Sequence, residues 1–195
     1  MSTLETLLER NHDFAEQHFT SGLPLMPTLG TLVISCADPR VDPAHVLGLE
    51  QGEALVLRNI GGRITPSTLQ AIGMLQTIAQ VEGIFPNGLF NLIVLHHTDC
   101  GITRLEGKTE MLAGYFGIDP AAVASKAISA PHTAVGIDVA TLKALSVLPK
   151  TWLISGLVYD VATGEVEVVV PPDAVESAGS LESSGHIGPN TGKKG

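Results

Sequence analysis

TLVISCADPR, residues 31–40, joins an apolar, β-branched run to a turn dense in chemistry, and it sets the reading of the whole chain. Thr31 to Ser35 reads as a short strand buried on both faces, the pattern of a parallel sheet. Pro39 cannot continue a hydrogen-bonded ladder, so the strand ends before it. Cys36, Asp38 and Arg40 therefore stand just past the carboxyl end of a strand. The same arrangement recurs further on. EALVLRNI (53–60) is a second strand, cut by Gly61-Gly62, and LFNLIVLHH (89–97) is a third, followed closely by Asp99 and Cys100.

Helical patterns alternate with these strands. Residues 3–19 place Leu4, Leu7, Leu8 and Phe14 on one stripe. PAHVLGLE (43–50) reads as a short helix. Thr65-Pro66 is a helix start, with threonine as N-cap and proline in the first turn, and Leu69, Ile72, Leu75 and Ala79 share a face to about residue 80. Residues 103–117 fit either a helix or a loop with helical turns. Asp119-Pro120 opens another helical segment, to 127, and a further helix over 133–147 turns Val135, Val139 and Leu142 inward. The stretch from Thr151 reads as a strand and then a hairpin, turning at Ala162-Thr163-Gly164. The expected fold is α/β, with a mainly parallel central sheet flanked by helices. Ligands bind such sheets beyond the carboxyl ends of the strands, where all the loaded segments converge.

Composition narrows the function. The chain has 195 residues, 44% of them hydrophobic, enough for one domain with a full core. That domain is expected over 1–172; from Asp173 the composition turns to Ser, Gly, Glu and Lys, so 173–195 reads as a poorly ordered or surface-wrapping tail. The formal net charge of −9 argues against nucleic-acid binding and against a basic membrane-surface protein. No apolar run approaches the roughly 18 residues of a spanning helix, and the start of the chain lacks the pattern of a signal peptide, so a cytoplasmic protein is expected. A mean hydropathy of +0.28 hints at apolar surface covered by self-association.

The two cysteines, Cys36 and Cys100, are too few for a disulfide scaffold. His97-Thr98-Asp99-Cys100 puts an imidazole and a thiol at one strand end, and Cys36 arrives from a neighbouring strand. Thiolate and imidazole suit zinc, and two cysteines with one histidine leave an open position, the pattern of a catalytic site. His96 is the rival ligand, but on an extended segment its side chain points opposite to that of His97. Arg40 can hold the Asp38 carboxylate in a fork, leaving a lone pair to orient a zinc-bound water; released from Arg40, Asp38 could itself become a fourth ligand. Gly61-Gly62 is either a tight turn or a means of bringing backbone N–H groups near ligands or substrate. Asp99 reads as a turn cap or as a residue orienting a ligand. His12, His18, His45, His132 and His186 are scattered and read as surface or structural residues.

Cys36-Ala-Asp38-Pro-Arg40, Arg58-Asn-Ile-Gly-Gly62 and His97-Thr-Asp-Cys100-Gly101 resemble, in order and spacing, the signature motifs of the β-class carbonic anhydrases, including carbonyl sulfide hydrolase-like members. The resemblance covers roughly residues 28–170. It implies one Zn2+ per subunit bound by Cys36, His97 and Cys100, with Asp38 and Arg40 as the catalytic pair. It places Asn59, Ile60, Gly61 and Gly62 around the substrate. It also implies a homodimer or a dimer of dimers, with an N-terminal helix packed on the partner subunit. The expected reaction is reversible hydration of CO2 by attack of zinc-bound hydroxide. Hydrolysis of carbonyl sulfide at the same site is the alternative, and a zinc-stapled, non-catalytic binding domain is a third reading. Pro39 and Ile60 depart from the usual family residues; proline stiffens the Asp–Arg loop, and isoleucine adds apolar surface to the pocket wall.

Overall fold

The structure, a computed structural model, describes residues 2–83 and 89–174. The apolar runs form the strands expected of them. β1 (Thr31–Cys36), β2 (Ala54–Asn59), β3 (Phe90–His97) and β4 (Trp152–Tyr159) run parallel, and β5 (Val166–Ala174) closes the sheet antiparallel to β4, in the order β2-β1-β3-β4-β5. β1 is buried along its whole length. The hairpin into β5 turns through Gly164, whose φ of +79° is the left-handed region glycine tolerates. β5 continues through Pro171-Pro172 to Ala174, which an edge strand allows. Residues 175–195, and with them most of the expected tail and His186, lie outside the described residues.

The strand order places the site. From β1 the chain turns to β2 on one side, and helix α3 (Pro66–Val81) then carries it across to β3 on the other. The carboxyl ends of β1 and β3 thus diverge into a crevice, the position where such sheets bind ligands. α3 starts as its sequence implies: the Thr65 hydroxyl accepts from the Thr68 N–H, Pro66 occupies the first turn, and Ile72 and Ala79 are buried. α5 (Pro131–Lys143) turns Val135, Val139 and Leu142 onto the sheet. It begins at Pro131 rather than 133, because proline fits a first helical turn, and it ends before the expected 147. α2 (Pro43–Val46) is shorter than its expected 43–50, since Gly48 with φ +64° cannot extend a right-handed helix. The ambiguous 103–117 segment resolves into the end of a 3-10 turn over Gly101–Leu105 and helix α4 (Thr109–Phe116), and 3-10 geometry also fills Pro120–Lys126.

The main core joins Leu32, Ile34, Leu92, Val94 and Ile154 of the sheet to the inward faces of α3 and α5. A smaller cluster packs Cys36 and Cys100 with Val41, Ile102, Leu112 and Phe116, so the loaded turns are set in a hydrophobic wall. α1 (Thr3–Gln17), closed by a Ser2–Glu5 capping box, buries none of its residues; Leu4, Leu7, Leu8 and Phe14 are all exposed. Among the described residues no helix is long and apolar enough to cross a membrane.

Candidate metal centre

Cys36 ends β1, His97 ends β3, and the turn after β3 delivers Cys100. Asp99 adopts a left-handed φ of +50°, a conformation aspartate tolerates, and the reversal brings Cys100 back toward His97. The sulfurs of Cys36 and Cys100 and a ring nitrogen of His97 all lie within 4.8 Å of one another, and all three residues are buried. His97 Nδ1 lies 2.8 Å from the Thr98 carbonyl. A carbonyl only accepts, so Nδ1 carries the proton and Nε2 is left with its lone pair free. That Nε2 is buried with no hydrogen-bond partner, the state expected of an atom reserved for a metal ion.

The sulfurs are matched to the same end. Their separation is 3.7 Å, and the Cys100 thiol donates to Cys36. That hydrogen bond, with the His97 ring beside it and donation from the N–H groups of Asp38 and Gly61, outweighs burial and lowers the Cys36 pKa to about 4. Cys100 moves the opposite way, since its proton is held by the Cys36 thiolate and burial opposes a second charge. Burial also works against an imidazolium at His97, but the neighbouring Cys36 thiolate leaves its pKa raised. Two sulfurs and one imidazole with a prearranged thiolate fit a borderline-soft ion such as zinc.

Beside this cradle, Asp38 is held by Arg40 as the sequence implied. Arg40 Nε donates to Oδ1 at 3.0 Å, Nη2 to Oδ2 at 2.8 Å, and the Arg40 N–H to Oδ1 at 2.9 Å. The guanidinium keeps the Asp38 carboxyl at about pKa 2, so it is ionised at every ordinary pH. Arg40 reaches Asp99 as well, through Nη1 to Oδ2 and Nη2 to the carbonyl, both at 3.0 Å. The Asp38 loop is thereby tied to the turn that carries Cys100.

Arg58 supplies a clamp that sequence reasoning left without a role. It donates to the carbonyls of Cys36 (2.9 Å) and Asp38 (2.7 Å) and to Asp42 Oδ2 (2.8 Å), gripping the loop at three points. Gly61 and Gly62 both have positive φ, and the Gly61 N–H donates to Cys36 Sγ at 3.3 Å. A Cβ on Gly62 would stand 3.0 Å from the Cys36 nitrogen, so the turn lies directly on the ligand strand. Of the other expected pocket residues, Asn59 turns its amide to the Arg63 carbonyl and Thr68. Ile60 is half exposed, and its carbonyl accepts from the Tyr115 hydroxyl at 2.7 Å. His96, the rival ligand, points away from the sulfurs to a buried carboxylate, Asp138. Asp138 was also missed, although a charge between the inward positions Val135 and Leu142 of an apolar helix face is a readable signal.

The fold and site together define an α/β protein with a metal-capable Cys-His-Cys cradle at the switch point of its sheet. Comparison with known proteins narrows this further. A family model described as carbonic anhydrase matches residues 31–117. The carbonic anhydrase from Streptococcus mutans, a solved structure, superposes with a TM-score of 0.64 and 30% identity, over 87% of this chain and 98% of that one. A curated β-carbonic anhydrase 1 from Mycobacterium tuberculosis is 29% identical over 176 residues, covering 88% of this chain and all of the relative. A carbon disulfide hydrolase from Acidianus is 32% identical over 123 residues, 62% of this chain and 54% of the relative. The chain belongs to the β-carbonic anhydrase family.

Proposed function

We propose that the protein is a zinc enzyme that reversibly hydrates CO2 to bicarbonate. The orphaned Nε2 of His97, facing the paired sulfurs of Cys36 and Cys100, is the observation that carries this reading. Zinc bound there would lower the pKa of a bound water to about 7, against about 15.7 in bulk, and so supply a nucleophile at neutral pH. The chain's own residues do the rest. Cys36, His97 and Cys100 would hold the ion, and three protein ligands would leave a position for water. Asp38, fixed by the Arg40 fork and ionised throughout, accepts a hydrogen bond from the attacking water and orients it toward the carbon. Asp99 and Arg58 keep the Asp38–Arg40 loop in register with the cradle. In this geometry Arg40 keeps Asp38 engaged, which supports an open fourth position rather than Asp38 as a ligand.

The working unit is a homodimer or a larger assembly of dimers, supported by the unburied apolar stripe of α1. A second substrate reading is favoured by the carbon disulfide hydrolase relative: the same site hydrolysing a sulfur-substituted analogue of CO2, such as carbonyl sulfide, to H2S and CO2. Stopped-flow CO2 hydration and H2S release from carbonyl sulfide, measured on one zinc-loaded preparation, separate these readings. Fast hydration with no H2S release is the expected result. Inactivity toward both at full zinc occupancy would leave only a structural metal.

A further inference from the structure

Arg63 leaves the Gly61-Gly62 turn and runs inward, where its Nε donates to Asp138 Oδ2 at 2.7 Å and its Nη2 reaches Oδ1 at 3.4 Å. Nη2 also donates to the Lys126 carbonyl at 2.8 Å, and the guanidinium lies 5.0 Å over the Phe116 ring. The same Asp138 Oδ2 accepts from the Ile64 N–H at 3.3 Å and stands 3.3 Å from His96 Nε2. All three side chains are buried. Contacts from Arg63 and His96 keep Asp138 ionised despite a burial that opposes its charge.

A buried ion pair of this kind is a poor way to gain stability, because apolar residues of similar volume often serve as well or better. Its placement suggests another use. Asp138 on α5 meets both the 61–64 turn, through Arg63 and the Ile64 N–H, and the end of β3, through His96. The turn carries the Gly61 N–H that donates to Cys36 Sγ, and His96 is the neighbour of His97. Asn59 grips the Arg63 main chain on both sides, accepting from its N–H at 2.8 Å and donating to its carbonyl at 2.7 Å, so a shift of Arg63 passes into the turn. A cavity of about 50 Å3 lies beside both, lined by Arg63 and His96 on one side and by His97, Cys100 and Ile102 on the other.

We propose that Arg63, Asp138 and His96 form a positioning cluster that holds the metal cradle from behind, setting the Gly61 N–H against Cys36 Sγ and fixing the strand end that presents His97. The inference rests on Cys36, His97 and Cys100 being the metal ligands, and it is independent of the substrate. Residues that orient the ligands of a metal typically govern its affinity by about 10–100-fold.

The test compares the full-length protein with Asp138→Asn and with the double variant Arg63→Met/Asp138→Leu, which replaces the ions by apolar groups. Zinc affinity is read by competition with a chromophoric chelator, the thiolate-to-metal absorption of the cobalt(II)-loaded protein reports ligand geometry, and thermal melting of the metal-free protein reports folding. The expected result is zinc binding weakened about 10-fold or more in both variants, with a shifted cobalt spectrum. The double variant should show this while melting at or near the wild-type temperature. Wild-type affinity and spectrum in either folded variant would overturn the proposal. Failure of the wild-type protein itself to bind zinc would instead overturn the metal-centre reading on which it rests.

Discussion

Two Arg–Asp pairs lie near the cradle, at almost the same distance and in opposite surroundings. Arg40 meets Asp38 at 2.8 Å with 47% of the arginine side chain exposed; Arg63 meets Asp138 at 2.7 Å with 2% and 0% exposed. The first pair stands at the mouth of the site, its arginine half in solvent and its carboxylate only 12% exposed, so water screens it in part. The second is sealed behind the site, where neither charge has water to turn to. Identical chemistry thus gives a water-facing fork in front and a sealed one behind. An exposed pair suits a group that must respond to a substrate, and a buried one suits a group that must not move.

The contrast can be broken first at its stronger side. Arg63→Ala strands the Asp138 charge and should lower the unfolding free energy by about 3–5 kcal/mol in denaturant titration; a loss below about 1 kcal/mol would mean that water reaches the pair. Next, Asp38→Asn should keep zinc and the fold but lose turnover by on the order of 10²-fold or more, in the range of positioned acid–base groups. Normal turnover would remove Asp38 from the mechanism. Gly62→Ala tests how closely the turn rides on the cradle. With φ +65° and backbone atoms 3.0–3.1 Å from the new Cβ, the substitution should cost about 1–3 kcal/mol in stability.

A pH experiment sharpens the picture of the sulfurs. In the metal-free protein Cys36, with a pKa of about 4, is already a thiolate at neutral pH, whereas Cys100 keeps its proton and the pKa of His97 is raised. Zinc must displace the Cys100 proton, so affinity should rise with pH, by about tenfold per unit for each proton released. Calorimetric titration in buffers of different ionisation enthalpy counts those protons; none released would contradict the assignment. The smallest effect on stability belongs to the pair at the mouth of the site: Arg40→Ala should leave the melting temperature close to that of the wild type while turnover falls through the loss of Asp38 orientation.

Legibility in the sequence followed the range of the interaction. Each strand end announced itself locally, through Pro39 after Cys36, Gly61-Gly62 after Asn59, and a histidine–cysteine spacing after β3. The Asp38–Arg40 fork was equally readable, because its partners are two residues apart. Arg58 on the Cys36 loop and Asp99 on Arg40 were not readable, since those contacts span 22 and 59 positions. Helix ends shifted by a few residues wherever proline or a left-handed glycine decided the terminus.

On its own the amino-acid order determined the parallel α/β class and the acid–arginine partners Asp38 and Arg40, because periodicity and turn chemistry act over a few neighbouring residues; Cys36 and the His97–Cys100 pair, 64 positions apart at their ends, were linked only because a parallel sheet brings its strand ends to one edge. The tertiary structure alone decided that β1 and β3 lie side by side with their ends diverging. It alone turned the free lone pair of His97 toward the sulfurs, and it alone buried Arg63 and Asp138 against His96. Those outcomes depend on which distant segments exclude water from one another, and no local pattern encodes that.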